Sequence, residues 1–167
     1  MSFTQQDYER FKHLNDPRNF SQEFCSGNLP LGLQLMLTGR SPVLDIAMRD
    51  DVMTMMLWQM TFRNEQTILW LSRRKRRTIT DQLRNERNRL DAVWQPKMVQ
   101  SNTEYVEFDN GSRMIVRALT EHAGRGMSMS HLVVDGCDIK DVEMVSRNLA
   151  LAVSMGGRML FLMNWGG

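Results

Sequence analysis

The chain has 167 residues, a net charge of +2 and a 42% hydrophobic share, which is material for one domain with a sizeable core. No apolar run reaches the roughly 20 residues that span a bilayer, and the polar opening MSFTQQDYERFKHLNDP has none of the apolar stretch of a secretion signal. Cys25 and Cys137 lie far apart and, with three scattered histidines, form no zinc spacing, so composition predicts a reducing, cytoplasmic setting, no metal and no membrane partner.

The first 30 residues read as an accessory region, with a short helix at 5–12 followed by irregular chain. Residues 30–38 form an apolar helix candidate, punctuated by Gly39, Arg40, Ser41 and Pro42. Val43–Met48 is a brief apolar run suited to a buried strand. Asp51–Phe62 is apolar on nearly every side and reads as a buried helix. After the polar turn 63–66, Thr67–Ser72 (TILWLS) reads as a second strand. Thr78–Trp94 is the clearest amphipathic helix, with Ile79, Leu83, Leu90 and Trp94 on one face and Pro96 as its stop.

Tyr105–Phe108 and Arg113–Ala118 flank Asn110-Gly111, the strongest short turn signal in the chain, and predict a hairpin inserted among the other strands. His131–Asp135 is a third buried strand. Asp138 is placed to cap a helix striped by Val142, Val145, Leu149 and Ala152, which Gly156-Gly157 would end. Met159–Met163 is the last strand. Apolar strands alternating with helices imply an α/β fold of three layers around a mostly parallel sheet. The 15 methionines sit mainly in the periodic apolar runs, where core filling is their expected role.

Charge is unevenly spread. Arg73, Arg74, Lys75, Arg76, Arg77, Arg84, Arg87 and Arg89 face only Asp81 and Glu86 within 73–89, a local +6 that leaves −4 for the rest of the chain. A charge run is ordinarily a solvated helix face. Here it follows a strand directly, and the carboxyl ends of strands form the ligand edge of open α/β sheets. Arginine also suits phosphate recognition. Trp70 and Trp94 flank the run, but their apolar neighbours assign them to the core. Nothing surrounds Cys137 to make it a nucleophile, and His122 and His131 have no catalytic partner in recognisable spacing.

Three further features stand in a fixed order: the Asp-Asn-Gly-Ser hairpin at 109–112, the segment Arg125-Gly126-Met127-Ser128, and the apolar strand Leu132-Val133-Val134 running into Asp135. In this order and spacing the chain resembles the N-terminal ATPase domain of the large terminase subunit, the DNA-packaging motor of tailed bacteriophages, over roughly 33–167. The resemblance implies a P-loop-type fold, with Asp135 at the Walker-B position whose Asp holds magnesium in that family. Arg49 matches the arginine of the family's phosphate loop, and Arg125 is a candidate for phosphate or loop contact. The tail MLFLMNWGG stands where the family has a coupling motif, which Asn164 and Gly166 match loosely.

The departures are chemical. The family's Gly-Lys-Thr/Ser loop is replaced by Ala47-Met48-Arg49-Asp50-Asp51-Val52, about four residues shorter. Gly lets backbone N–H groups converge on phosphates and Lys neutralises them, whereas Asp50 and Asp51 carry the repelling sign. Gly136 stands where the family's catalytic Glu would be, and the family's nuclease domain has no counterpart. The site Arg49, Asp50, Asp51, Asp135 and Gly136 therefore reads as a degenerate nucleotide site, with Asp135 a structural strand-end residue and Asp138 a helix cap rather than a substitute base. The expected protein is a pseudo-ATPase without a cofactor in the cytoplasm of an infected bacterium, binding nucleic acid through Arg73–Arg89 or a phage or host protein. A divergent packaging ATPase using Arg49, Asp135 and Asp138, and a self-assembling structural module, are the alternatives.

Overall fold

The computed structural model describes residues 2–26 and 43–164. The helix expected at 30–38, its punctuation at 39–42 and the tail residues Trp165, Gly166 and Gly167 lie outside the described residues. Strand β2 (Thr67–Ser72) is almost wholly buried, because its apolar side chains alternate between two covered faces. On one side it pairs in parallel with β6 (Met129–Cys137), and on the other with β5 (Arg113–Ala118). β7 (Val153–Met163) lies parallel to β6, and β1 (Val43–Asp45) lies parallel to β7. β4 (Tyr105–Phe108) pairs antiparallel with β5, and β3 (Met98–Ser101) antiparallel with β4. The seven-stranded order is β1-β7-β6-β2-β5-β4-β3.

Period-two alternation sorts the core into two clusters. Ile68, Trp70, Val116, Val133, Leu160 and Leu162 face α1 (Gln5–Leu14), α2 (Pro17–Phe24), α3 (Arg49–Phe62) and α4 (Arg76–Asn88). Leu69, Leu71, Leu132, Val134 and Phe161 face α5 (Ile139–Leu149) on the other side. The result is the expected three-layer α/β arrangement. No helix of the described residues is long and apolar enough to cross a membrane.

Several element boundaries differ from the sequence reading. The chain after α1 is helical: Asp16 caps α2 and Pro17 opens it, as fits a ring that fixes φ at a first helical position. Leu14, Phe20 and Phe24 share one apolar cluster with α3. The strand expected at Val43–Met48 stops at Asp45, whose side chain accepts from the Ala47 N–H and starts a 3-10 turn. It is an edge strand, with Val43 exposed.

α4 ends at Asn88, not Trp94. Tertiary contacts pull the next residues away from helical geometry: Asp91 pairs with Arg10 and accepts from Trp94 Nε1, while the Trp94 ring packs on Phe11 and Phe62. The hairpin is part of the sheet, since β5 borders β2 and β4 carries a further strand, β3, at the edge. The helix expected through 156 ends at Leu149, and after a 3-10 turn β7 starts at Val153. The Asp138 cap is present: its carboxylate accepts from the Asp141 N–H, and the Asp141 side chain accepts from the Asp138 N–H.

Candidate functional site: the carboxyl edge of the sheet

Parallel strands bring their carboxyl ends together, and the register places Ser72 of β2 beside Asp135 of β6. Both side chains point to the α3 face. Asp135 is 1% exposed, so its charge requires partners. Oδ1 accepts from Arg49 Nε at 2.6 Å. Oδ2 accepts from Trp70 Nε1 at 3.1 Å, Ser72 Oγ at 3.2 Å and Arg74 Nη1 at 3.4 Å. Ser72 Oγ in turn accepts from the Arg74 N–H at 3.0 Å, fixing the strand exit. Both carboxylate oxygens are thus occupied by donors, two of them guanidinium groups.

Arg49 reaches this position because the 3-10 turn Ile46–Met48 leads straight into α3, with Arg49 as its first residue. Asp50 and Asp51 fall in the first turn of α3. Asp50 accepts from Gln82 Nε2 at 2.8 Å and Asp51 from the Ser26 N–H at 2.8 Å. Gly136 has φ +77° at a register shift between β6 and β7. This left-handed conformation is one that glycine tolerates and other residues adopt at a cost.

The basic run does not form one surface. Arg73, Arg74, Lys75, Arg76 and Arg77 line a cleft of about 590 Å³ at the ends of β2 and β5, with Thr103 and Leu119 among its other walls. Carboxylates hold four of them from behind. Arg73 makes a two-pronged pair with Asp141, both bonds 2.8 Å, Arg74 meets Asp135, Arg76 meets Glu104 at 3.1 Å and Arg77 meets Asp81 at 3.7 Å. The Arg73 guanidinium, opposed by partial burial, holds the Asp141 carboxyl below its ordinary range. Lys75 is exposed.

The other three arginines serve different places. Arg84 bonds Ser101 and Asp81, Arg87 donates to the Pro96 carbonyl, and Arg89 bonds Glu86 and the Phe24 carbonyl. Arg89 lines a second cleft of about 670 Å³, whose walls also carry Asp50, Asp51, Asp81 and Glu86. Arg74 borders both clefts. Arg125 is exposed in a turn that packs on the α5 face through Gly124, where an added Cβ would lie 2.8 Å from Leu69 Cδ2. Asp135 points to the opposite face, so the two are not brought together.

The mostly parallel seven-stranded sheet with helices on both faces has counterparts among solved structures. The ATPase domain of the Thermus phage P74-26 large terminase superposes with a TM-score of 0.63 at 10% identity, covering 99% of this chain and 73% of that one. The HK97 bacteriophage large terminase gives 0.59 at 10% identity over 87% of this chain. A large terminase from a thermophilic bacteriophage gives 0.52 at 11% identity over 98%.

The fold is that of a large-terminase ATPase domain. This terminase-like chain spans 36% of the HK97 protein and 39% of the thermophilic one. Its sequence matches no family model and no curated protein, so the likeness is one of fold. A magnesium ion or a nucleotide at this edge would meet side chains that already hold one another. The Asp135 oxygens are taken by cations of the chain itself, and the segment leading into α3 offers no glycine cradle and two carboxylates. Among the described residues no cluster of three His, Cys, Asp or Glu could hold a metal ion.

Sequence reasoning missed four partners: Trp70 and Ser72 beneath Asp135, Asp141 behind Arg73, and Glu104 behind Arg76. Two had a signal. Ser72 and Asp135 both end the apolar runs read as buried strands, and Asp141 is the third residue of the helix that Asp138 caps.

Proposed function

We propose that this chain is a phage-encoded, terminase-like domain that does not hydrolyse nucleotide and binds nucleic acid without sequence preference at its basic carboxyl edge, in the cytoplasm of an infected bacterium. The observation that carries the reading is the Asp135 carboxylate closed by Arg49 and Arg74. Two internal cations already neutralise the group that holds magnesium in an active motor, so an incoming metal ion would have to displace them. Asp50 and Asp51 add repulsion toward phosphate, about 4 kcal/mol for like unit charges 4 Å apart at an effective dielectric of 20. Gly136 supplies no proton acceptor, and loss of a general base alone costs about 10²–10⁴ in rate. The binding half of the proposal is supported by the cationic cleft of Arg73–Arg77, whose side chains suit phosphates rather than base edges.

The test is magnesium-dependent phosphate release from ATP, with and without DNA. No release above background is expected. Turnover that vanishes in Asp135→Ala would overturn the inactive reading in favour of a divergent packaging ATPase.

A further inference from the structure

The cleft of about 590 Å³ is bounded by the strand ends at Ser72 and Ala118, the β3–β4 turn at Thr103 and the start of α4. Among the described residues every charged side chain lining it is cationic. A cleft of that volume takes in a few nucleotides and not a segment of duplex, whose major groove alone is about 12 Å wide. Duplex DNA is also stiff over about 150 base pairs and does not fold into a pocket of this size. A single sugar-phosphate chain is thin and flexible enough to enter. Among the described residues no aromatic side chain lines the cleft, so they offer no base stacking, the usual source of single-strand affinity. Recognition is left to phosphate charge.

The cations differ in freedom. Both terminal nitrogens of Arg73 are committed to Asp141, and Arg74 is turned to Asp135. Lys75 is exposed, and the side chains of Arg76 and Arg77 are 46% and 76% exposed while their carboxylate partners hold them in place. Arg84, Arg87 and Arg89 lie outside this cleft.

From this convergence we infer that the cleft binds one strand of nucleic acid by its phosphate backbone, with Lys75, Arg76 and Arg77 making the contacts. The inference rests on the nucleic-acid reading above and narrows it to a strand form and three residues. Three phosphate contacts on a single strand give a slope of log affinity against log salt of about −2.

The experiment is fluorescence anisotropy at low salt with labelled 30-residue dT and rU homopolymers and a blunt 30-base-pair duplex. We expect both single strands to bind at least about tenfold more tightly than the duplex, with a salt slope near −2. The triple variant Lys75→Ser, Arg76→Ser, Arg77→Ser should lose at least about tenfold. The triple Lys12→Ser, Arg18→Ser, Arg147→Ser, which removes equal charge from exposed sites elsewhere, should change affinity by less than about threefold. Circular dichroism confirms that both variants fold.

Equal or tighter binding of the duplex would overturn the single-strand inference and leave the broader proposal standing. An unaffected cleft variant would overturn the site. Displacement of the strand by stoichiometric pyrophosphate would assign the cleft to a small phosphate ligand and overturn the strand reading. Failure of every nucleic acid to bind would remove this inference and the binding half of the proposed function together, leaving the basic surface as a protein-docking face.

Discussion

Asp135 and Gly136 are adjacent, and their constraints are opposite in kind. Asp135 is fixed by its partners, Gly136 by its backbone. An added Cβ at Gly136 would have room, 3.7 Å from Ile46 Cδ1 and 3.9 Å from Arg49 Nη2, so a side chain there is opposed by φ +77° and not by crowding. Left-handed geometry costs an L-residue about 1–2 kcal/mol. Gly136→Glu should therefore lower unfolding free energy by about that amount in urea titration and should not create an ATPase, because a base is useless when the phosphates are not held in line. Robust magnesium-dependent turnover in Gly136→Glu would show that the Ala47–Val52 segment holds phosphates after all. The sequence announced Asp135 and Gly136 through the apolar run before them. It did not announce that Arg49 and Arg74, 86 and 61 positions away, converge on Asp135, because that depends on strand register.

At the scale of elements, legibility followed how local the determinants were. β2, β4 and β5 have the bounds read from sequence, since polar turns and Asn110-Gly111 end them. β3 was overlooked because Met98–Ser101 is an edge strand with three exposed residues and no apolar alternation to mark it. α4 was overextended because the turn at Asp91 is set by Arg10, a residue of another helix. The first half of β7 was read as helix because the stripe of α5 continues past Leu149. There β7 runs so close to β6 that a Cβ at Gly157 would meet the Ser130 carbonyl oxygen at 1.9 Å, an approach only glycine permits.

The β6–β7 pair also carries a pH-sensitive contact. His131 of β6 accepts from the Arg158 N–H through Nδ1 at 3.2 Å, which requires the unprotonated ring nitrogen. Burial first, and the Arg158 charge second, push its pKa down to about 4, against an unfolded value near 6.5. As pH falls from about 6.5 to 4, the unfolded chain takes up a proton that the native one refuses, so stability is lost across that window, by roughly 3 kcal/mol at most. Urea midpoints from pH 7.5 to 4.5 should fall more steeply for the natural chain than for His131→Asn. Parallel pH profiles would refute the assignment.

The whole molecule is a mostly parallel sheet between two unequal helical layers. Among the described residues the α5 face is covered by one helix and the loop before β6, but the opposite face is covered by four helices, two of them from the first 24 residues. The side chains of this N-terminal region are set deep. Leu14 and Phe20 are fully buried, Phe24 nearly so, and Trp58 Nε1 donates to the Leu14 carbonyl at 3.1 Å. Arg10 ties α1 to both Glu23 and Asp91, and Phe11 and Phe20 pack on Phe62. Burying three large apolar side chains contributes about 1.5–3 kcal/mol each, together comparable to the 5–15 kcal/mol that ordinarily separates folded from unfolded domains. Removing residues 2–24 should therefore abolish cooperative folding. The expected readout is loss of a single sharp thermal transition and gain of dye binding to exposed apolar surface, because α3 would present Trp58 and Phe62 to water. A truncated chain that melted sharply within a few degrees of the intact one would show that α3 and the sheet hold together without the N-terminal helices.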